Sequence, residues 1–153
     1  MITDYFRLEG KKALITGAGK GIGARIATAF AEMGADVALI ARTESDLESV
    51  ASEVRDLGRE ALTFACDVTD ESALAQVVEG LTSHWGSLDI LVNNAGAPGQ
   101  GYGSLKKVTK ARFVNTLDIN LTSAYTLTHL ALPLLQAAPS ASIVNVSSAL
   151  GWM

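Results

Sequence analysis

Glycines dominate one short segment whose spacing is typical of phosphate binding. The segment TGAGKGIG occupies residues 16–23, between a short apolar run and an amphipathic stretch, so it joins a predicted strand to a predicted helix. The first turn of a helix presents N–H groups without partners and a partial positive charge, and glycines let a pyrophosphate approach the backbone. We therefore predict a nucleotide site at this loop. Its members would be Gly17, Gly19, Lys20, Gly21, Ile22 and Gly23.

Two cations indicate which nucleotide would bind. A site for NADH or for S-adenosylmethionine usually has a carboxylate at the end of the second strand, where it binds the ribose hydroxyls. Here that strand ends in LIARTE, with Ala41 and Arg42 at the position of the acid, and Asp36 lies at the strand's other end. Arg42 and Lys20 would bring two positive charges to a 2′-phosphate, which favours NADPH over NADH. The alternative is that both are ordinary solvated cations. A kinase-type phosphate loop is excluded, because Lys20 is followed by glycine and not by Ser or Thr.

The remaining polar candidates are weaker when taken one at a time. Ser148 ends the apolar run SIVNVSS, but a hydroxyl without a neighbouring base is a poor nucleophile. Asn120 is polar within an apolar helical stretch, so its amide is expected to need hydrogen-bond partners, in a structural or a water-holding role. Cys66 is predicted to be a small core residue. His84 and His129 lack a second ligand at metal spacing, so we predict surface or packing roles for them and no metal site.

Alternating apolar runs and amphipathic stretches predict an α/β fold. The runs are nearly continuous in apolar residues, which is typical of parallel strands covered on both faces. They lie at Ala13–Thr16, Val37–Ala41, Ala61–Ala65, Leu88–Val92 and Ser142–Ser147. Between them the spacing predicts helices at Ile22–Met33, Glu44–Leu57, Asp70–Trp85 and Lys110–Gln136.

Particular faces of these helices are expected to be apolar. Ile22, Ile26, Phe30 and Met33 form one face of the first helix, and Leu57 would point inward at the end of the second. Pro133 is expected to bend or end the longest helix, whose wide apolar surface implies a second covering body. The polar, glycine-rich segment 93–109 is predicted to be a functional loop at the carboxyl end of a strand.

Composition limits the classes of partner. The chain has 153 residues, of which 48% are hydrophobic and 18% charged, with a net charge of −4, so we expect one folded domain over residues 1–153. An acidic chain has no positive field for a nucleic-acid backbone. No apolar stretch approaches the roughly 20 residues that span a bilayer, so no membrane partner is expected. The single cysteine favours a reducing cytoplasm.

Five motifs in register resemble the classical short-chain dehydrogenases/reductases, in particular 3-oxoacyl carrier-protein reductases and hydroxysteroid dehydrogenases. They are TGAGKGIG, CDVTD (residues 66–70), NNAG (93–96), DIN (118–120) and SIVNVSS (142–148), and the resemblance covers essentially the whole chain. It implies a Rossmann-type, doubly wound parallel sheet with five strands in the order 3-2-1-4-5. It also implies an oxidoreductase that transfers a hydride between NADP(H) and a ketone or secondary alcohol.

The resemblance assigns further residues. Asp67 and Val68 would flank the adenine, and Asn94, Ala95 and Gly96 would line the coenzyme. Simpler roles remain open, because Asp67 could cap the following helix and the asparagines could be turn residues.

For catalysis, the resemblance implies that Ser148 binds the substrate oxygen and that Asn120 holds a water in a proton relay. The family's Tyr-x-x-x-Lys motif follows the fifth strand, and this sequence stops before it, so we expect an amino-terminal portion that is inactive alone. The expected partners are a small ketone or alcohol, a second copy through helix 110–136, or a complementing carboxyl-terminal chain. A non-catalytic dinucleotide-binding or dimerising module is the alternative.

Overall fold

A single parallel sheet organises the chain in the computed structural model, which describes residues 6–98 and 105–148. The sheet has five strands in the order β3-β2-β1-β4-β5, which confirms the predicted doubly wound arrangement. Every neighbouring pair is parallel. The strands are β1 (Lys12–Thr16), β2 (Asp36–Ala41), β3 (Ala61–Ala65), β4 (Ile90–Asn93) and β5 (Ser142–Asn145).

Helices connect the strands across both faces of the sheet. They are α1 (Gly21–Glu32), α2 (Glu44–Asp56), α3 (Glu71–His84), α4 (Lys110–Leu117) and α5 (Ser123–Ala137), with a short 3₁₀ turn at Leu105–Lys107. The predicted long helix is therefore two helices, joined by a π-helical turn at Asp118–Thr122. Pro133 lies inside α5 and does not end it, because the helix continues for four more residues to Ala137.

Two apolar layers cover the sheet, which explains why its central strands are apolar on both faces. Ala13 and Ile15 of β1 pack with α1 and α2 on one side. Leu14, between them in sequence, packs with α3 and α5 on the other side. The alternation follows from the two-residue period of a strand, so β1, β2, β3 and β4 each contribute to both cores.

Two predicted helical faces are wrong in part. Ile22 is 65% exposed and Met33 is 38% exposed, because α1 presents small residues to the sheet, including Gly23, Ala27 and Ala31. Leu57 is 46% exposed, since it is the residue at which α2 ends and the chain turns away through Gly58, which has a positive φ of 76°.

Two apolar regions remain accessible in this chain. All four residues of β5 are exposed, and β5 pairs with β4 along one edge. On α4 and the π turn, Phe113 and Leu121 are 56% and 63% exposed. Leu127 and Leu134 of α5 are buried against the sheet, so the wide apolar surface predicted for this segment is divided between the core and an accessible side. In the described part of the chain, no helix is long and apolar enough to cross a bilayer.

Candidate functional site

A cavity of about 440 Å³ opens beside the carboxyl ends of the central strands. Because parallel strands all end on the same side of the sheet, the loops that follow β1, β2, β3 and β4 converge there. The glycine loop forms one wall, and the segment after β4 forms another. The lining residues are Gly17, Gly19, Lys20, Ala41, Arg42, Thr43, Asp46, Cys66, Asp67, Val68, Asn94, Ala95, Gly96, Ala97 and Ile119.

Thr16 and Asn94 join the glycine loop to the segment after β4. The Thr16 hydroxyl accepts hydrogen bonds from the backbone N–H groups of Asn94 at 3.0 Å and Ala95 at 2.9 Å. In return, the Asn94 side-chain amide donates to the carbonyl oxygen of Thr16 at 3.0 Å and to that of Gly17 at 3.3 Å. Four hydrogen bonds therefore fix the relative position of the two neighbouring loops, both of which line the cavity.

Close approach explains why particular loop positions are glycine. A Cβ added at Gly23 would collide first with the backbone carbonyl oxygen of Gly17 and would also lie 2.6 Å from Asn94 Nδ2, whereas one at Gly17 would lie 2.9 Å from Asn94 Nδ2. Gly17 also has a φ of 64°, which side-chain-bearing residues rarely adopt. The two glycines therefore make room for the Asn94 amide.

The start of α1 faces solvent without a local cap. The residue at its N-cap, Lys20, makes no side-chain capping hydrogen bond, and its first turn contains no acidic residue. By contrast, Asp70 Oδ1 accepts from Ala73 N at the start of α3. The first N–H groups of α1 are therefore available to an anion from outside the helix.

Two cations and two carboxylates lie around the outer part of the cavity. Lys20 Nζ is 3.1 Å from Asp46 Oδ2, where Asp46 belongs to the first turn of α2. Asp67 Oδ1 accepts hydrogen bonds from the Thr69 backbone N–H at 2.9 Å and the Thr69 hydroxyl at 2.8 Å. The backbone bond, then the hydroxyl bond, and also the charge of Arg42 hold the pKa of Asp67 below its usual value. Asp67 therefore carries a negative charge at neutral pH.

The interpretation of Asp67 as a helix cap is wrong. The carboxylate that caps α3 is Asp70, whereas Asp67 closes a local turn with Thr69, two residues on. This turn leaves Asp67 and Val68 on the wall of the cavity.

Asn120 lies in the π turn and forms hydrogen bonds with the segment after β4. Its amide donates to the carbonyl oxygen of Ala97 at 3.0 Å and accepts from the Ala97 N–H at 3.1 Å. It also donates to the Thr116 carbonyl at 2.9 Å, within its own helical segment. The amide has the partners that the sequence predicted, but its side chain is exposed.

Ser148 follows β5 on the same side of the sheet as the cavity. Asn145 of β5 is in register with Asn93 of β4, and Val146 N–H donates to the Asn93 carbonyl oxygen at 2.9 Å. The carboxyl end of β5 therefore lies next to the strand end that leads into Asn94. Ser148 is exposed and is not among the residues that line the cavity.

Cys66 is half-buried and lines the cavity, so its prediction as a core residue holds only in part. Burial, followed by the charges of Asp67 and Asp70, raises the pKa of its thiol. The histidines have the predicted local roles: His84 bonds to Glu60 at 2.7 Å, and His129 stacks on Tyr125. Among the described residues, no cluster of His, Cys, Asp and Glu side chains could hold a metal ion.

Most of the predicted coenzyme residues line the cavity, but three do not. Gly21 and Ile22 lie on the outer side of α1, around a shallow apolar groove, and Gly23 is buried behind the loop. Two residues with clear roles at the site were not predicted: Thr16, which joins the two loops, and Asp46, which pairs with Lys20. The position of Thr16, directly before the glycines, is a sequence feature that could indicate its role. The Lys20–Asp46 contact depends on how α2 packs, which local spacing does not reveal.

The sheet order and the cavity at the strand ends define a nucleotide-binding α/β protein. The family model for "short chain dehydrogenase" matches residues 11–153. An uncharacterized oxidoreductase of Mycobacterium tuberculosis is 41% identical over 152 residues, which cover 99% of this chain and 57% of that protein.

Solved structures agree in fold. Carveol dehydrogenase from Mycobacterium avium in complex with NAD has a TM-score of 0.90 and 33% identity, over 96% of this chain and 57% of its own. A metagenomic short-chain oxidoreductase in complex with NADP has a TM-score of 0.86 and 38% identity, over 92% of this chain and 63% of its own. The chain belongs to the short-chain dehydrogenase/reductase family of oxidoreductases, and it spans between a half and two thirds of the length of these relatives.

Proposed function

We propose that this chain is the coenzyme-binding part of an NADP(H)-dependent oxidoreductase that interconverts a ketone and a secondary alcohol. The observation that carries the proposal is the cavity at the strand ends, which is lined by Lys20 and Arg42 and lies beside the uncapped start of α1. Similar proteins have been solved with NAD and with NADP, so a nicotinamide dinucleotide agrees with both the site and its relatives.

The residues present fit such a coenzyme. The first N–H groups of α1 would hold the pyrophosphate, and Gly19 lets the loop pack directly against Asp46 and Ala41 beside it. Asp67 and Val68 would contact the adenine end, while Asn94, Ala95 and Gly96 would line the remainder of the coenzyme. The bound coenzyme would supply or accept the hydride.

Charge supports NADP(H) over NAD(H). Lys20 and Arg42 both line the cavity, and its second-strand loop offers Ala41 where an NAD site has a carboxylate for the ribose. A 2′-phosphate would form charge-assisted hydrogen bonds with either cation. NADH carries a free 2′-hydroxyl on its adenosine ribose, and in this site that hydroxyl would lack the carboxylate that usually accepts its hydrogen bond.

The proton-transfer residues are assigned only in part. Ser148 would hydrogen-bond the substrate oxygen, and Asn120 would hold a water through the amide that now fastens Ala97. The Tyr-x-x-x-Lys pair would come from polypeptide beyond this sequence, in agreement with the 57% of a relative's length that the chain covers. That polypeptide would cover β5, and a second copy would cover the accessible side of α4 and α5. The single cysteine supports a cytoplasmic location.

Parallel titrations of this chain with NADPH, NADH and S-adenosylmethionine test the proposal. We expect NADPH to bind more tightly than NADH, no binding of S-adenosylmethionine, and no reduction of ketones by the chain alone. Tight binding of S-adenosylmethionine would contradict the assignment. NADPH binding by a species that stays inactive even with a complementing carboxyl-terminal chain would instead support a non-catalytic dinucleotide-binding module.

A further inference from the structure

Asp46 brings a carboxylate against one of the two cations assigned to the 2′-phosphate. Its Oδ2 lies 3.1 Å from Lys20 Nζ, and both side chains line the cavity. Arg42, the other cation, has no ion-pair partner in the described ranges 6–98 and 105–148. The two cations therefore differ, because Lys20 is already engaged by a resident anion and Arg42 is not.

The position of Asp46 is fixed by packing. A Cβ at Gly19 would lie 3.0 Å from Asp46 Cβ and 3.3 Å from Ala41 Cβ, so the glycine loop runs directly against the first turn of α2. A carboxylate in that first turn is also favoured by the helix dipole. The Asp46 side chain is 33% exposed, against 83% for Lys20, so the lysine is the partner that is free to move.

The charges that line the cavity cancel. They are Lys20, Arg42, Asp46 and Asp67, two positive and two negative. Asp67 is occupied by its turn with Thr69, which leaves Asp46 as the carboxylate directly bonded to a cation of the site. Any phosphate that approaches Lys20 must share its ammonium group with Asp46 or displace it, and in either case lies close to a carboxylate of the same sign of charge.

We propose that Asp46 is a specificity-determining residue, an internal counter-ion of Lys20 that competes with the coenzyme's 2′-phosphate and so limits the preference for NADPH over NADH. This rests on the proposed function of the cavity. The competition acts on the dinucleotide that carries the extra phosphate and leaves NADH nearly unaffected. Because the pair is exposed, salt weakens the effect.

The test is the substitution Asp46→Asn, which keeps the shape and removes the charge. Binding of NADPH and of NADH to the full chain is measured by calorimetry at low and at high salt. We expect NADPH to bind about three- to tenfold more tightly at low salt, NADH to change less than about twofold, and the gain to shrink at high salt. The matched control is Asp56→Asn, which removes the same charge from the last residue of the same helix, outside the cavity.

A second variant shows whether the effect acts through Lys20. When Lys20 is replaced by Met, Asp46→Asn should raise the logarithm of the NADPH affinity by less than half as much as it does in the chain that keeps Lys20. Equal gains in the two backgrounds, equal gains for NADPH and NADH, or the same gain from Asp56→Asn would each overturn the role of Asp46. Binding of neither dinucleotide by the unsubstituted chain would overturn the proposed function of the cavity as well. Thermal unfolding of each variant shows that a lost signal does not come from an unfolded chain.

Discussion

Thr16 and Asn94 set the geometry of the cavity at the level of single residues. Their hydrogen bonds cross between the loop after β1 and the segment after β4, and glycines on either side leave space for the Asn94 amide. The requirement for glycine at position 23 is therefore steric. Gly23 is buried behind the loop and does not line the cavity.

The substitution Gly23→Ala tests this contact. The new Cβ would collide with the backbone carbonyl oxygen of Gly17 and lie 2.6 Å from Asn94 Nδ2, so the loop must shift. We expect a loss of about 1–3 kcal/mol in the free energy of unfolding, typical of overpacking, together with weaker dinucleotide binding. Gly80→Ala in α3 is the control: its Cβ would meet Phe64 at an ordinary 3.4 Å, and alanine is the better helix former, so stability should hold or rise. Equal stability of the two variants, measured by urea unfolding, would contradict the steric account.

The reactivity of the Cys66 thiol shows whether the cavity is occupied, since Cys66 is the chain's single cysteine and lines the cavity wall. Burial raises the pKa of its thiol, so the reactive thiolate is scarcer at neutral pH than in a free thiol. We expect alkylation by iodoacetamide to be slower than that of glutathione at neutral pH and to speed up at alkaline pH. Saturating NADPH should slow it further. Alkylation rates that are the same with and without NADPH would show that the dinucleotide does not occupy this cavity.

At the scale of elements, Glu60 connects β3 to the end of α3. One carboxylate oxygen accepts from the Trp85 indole N–H at 2.7 Å, and the other lies 2.7 Å from His84 Nε2. Lys12 of β1 donates to the Trp85 carbonyl oxygen at 2.8 Å. Trp85 and His84 together hold the pKa of Glu60 below its usual value, with the Trp85 bond as the largest cause.

This pKa predicts how the pH dependence of stability changes on substitution. A lowered carboxyl pKa contributes stability that is present above the unfolded value of about 4.5 and is lost as the pH falls through the folded pKa. Glu60→Gln should therefore be less stable than the unsubstituted chain at pH 7, by less than about 1 kcal/mol because Glu60 is partly exposed. The difference should shrink below about pH 4.5. Urea unfolding at both pH values measures it, with Glu53→Gln on the exposed side of α2 as the control. A difference that stays constant with pH would contradict the assignment.

The sequence predicts the regular elements well and the irregular ones poorly. The runs Ala13–Thr16 and Val37–Ala41 become strands because residues covered on both faces of a sheet are nearly continuously apolar. The π turn at Asp118–Thr122 is not visible in the sequence. In that turn the Ser123 N–H donates to the carbonyl oxygen of Asp118, five residues earlier. The Asn120 side-chain amide donates to the carbonyl oxygen of Thr116. Asn120 of this turn also forms two hydrogen bonds with Ala97, a tertiary contact that helical spacing does not encode.

The residues of the candidate site likewise fall into those that the sequence predicts and those that it does not. Gly17, Gly19 and Arg42 could be predicted because strand ends and loop composition are local features, whereas Asp67 is assigned only by the family resemblance. The Lys20–Asp46 pair could not, since it requires the first turn of α2 to pack on the loop after β1. Ile22 was placed with the coenzyme because it belongs to the glycine motif, yet it is exposed on the outer side of α1.

At the scale of the whole molecule, accessible apolar surface predicts association. Phe113 and Leu121 are exposed beside α5, and every residue of β5 is exposed. We expect the chain to self-associate through α4 and α5, because burial of such side chains contributes roughly 25 cal/mol for each Å² of apolar area. Leu121→Asp should shift the chain towards monomer in sedimentation velocity, whereas Leu57→Asp, at the exposed leucine that follows the last residue of α2, should not. A chain that is monomeric without any substitution at high concentration would contradict self-association through this surface.

The central claim is that a dinucleotide's pyrophosphate contacts the backbone at the start of α1. A crystal structure of the chain, or of the chain with its complementing polypeptide, grown with saturating NADPH tests it most directly. The account predicts pyrophosphate oxygens within hydrogen-bond distance of the first N–H groups of α1, with the 2′-phosphate between Lys20 and Arg42. A dinucleotide bound elsewhere, or a cavity that stays empty at saturating NADPH, would contradict it.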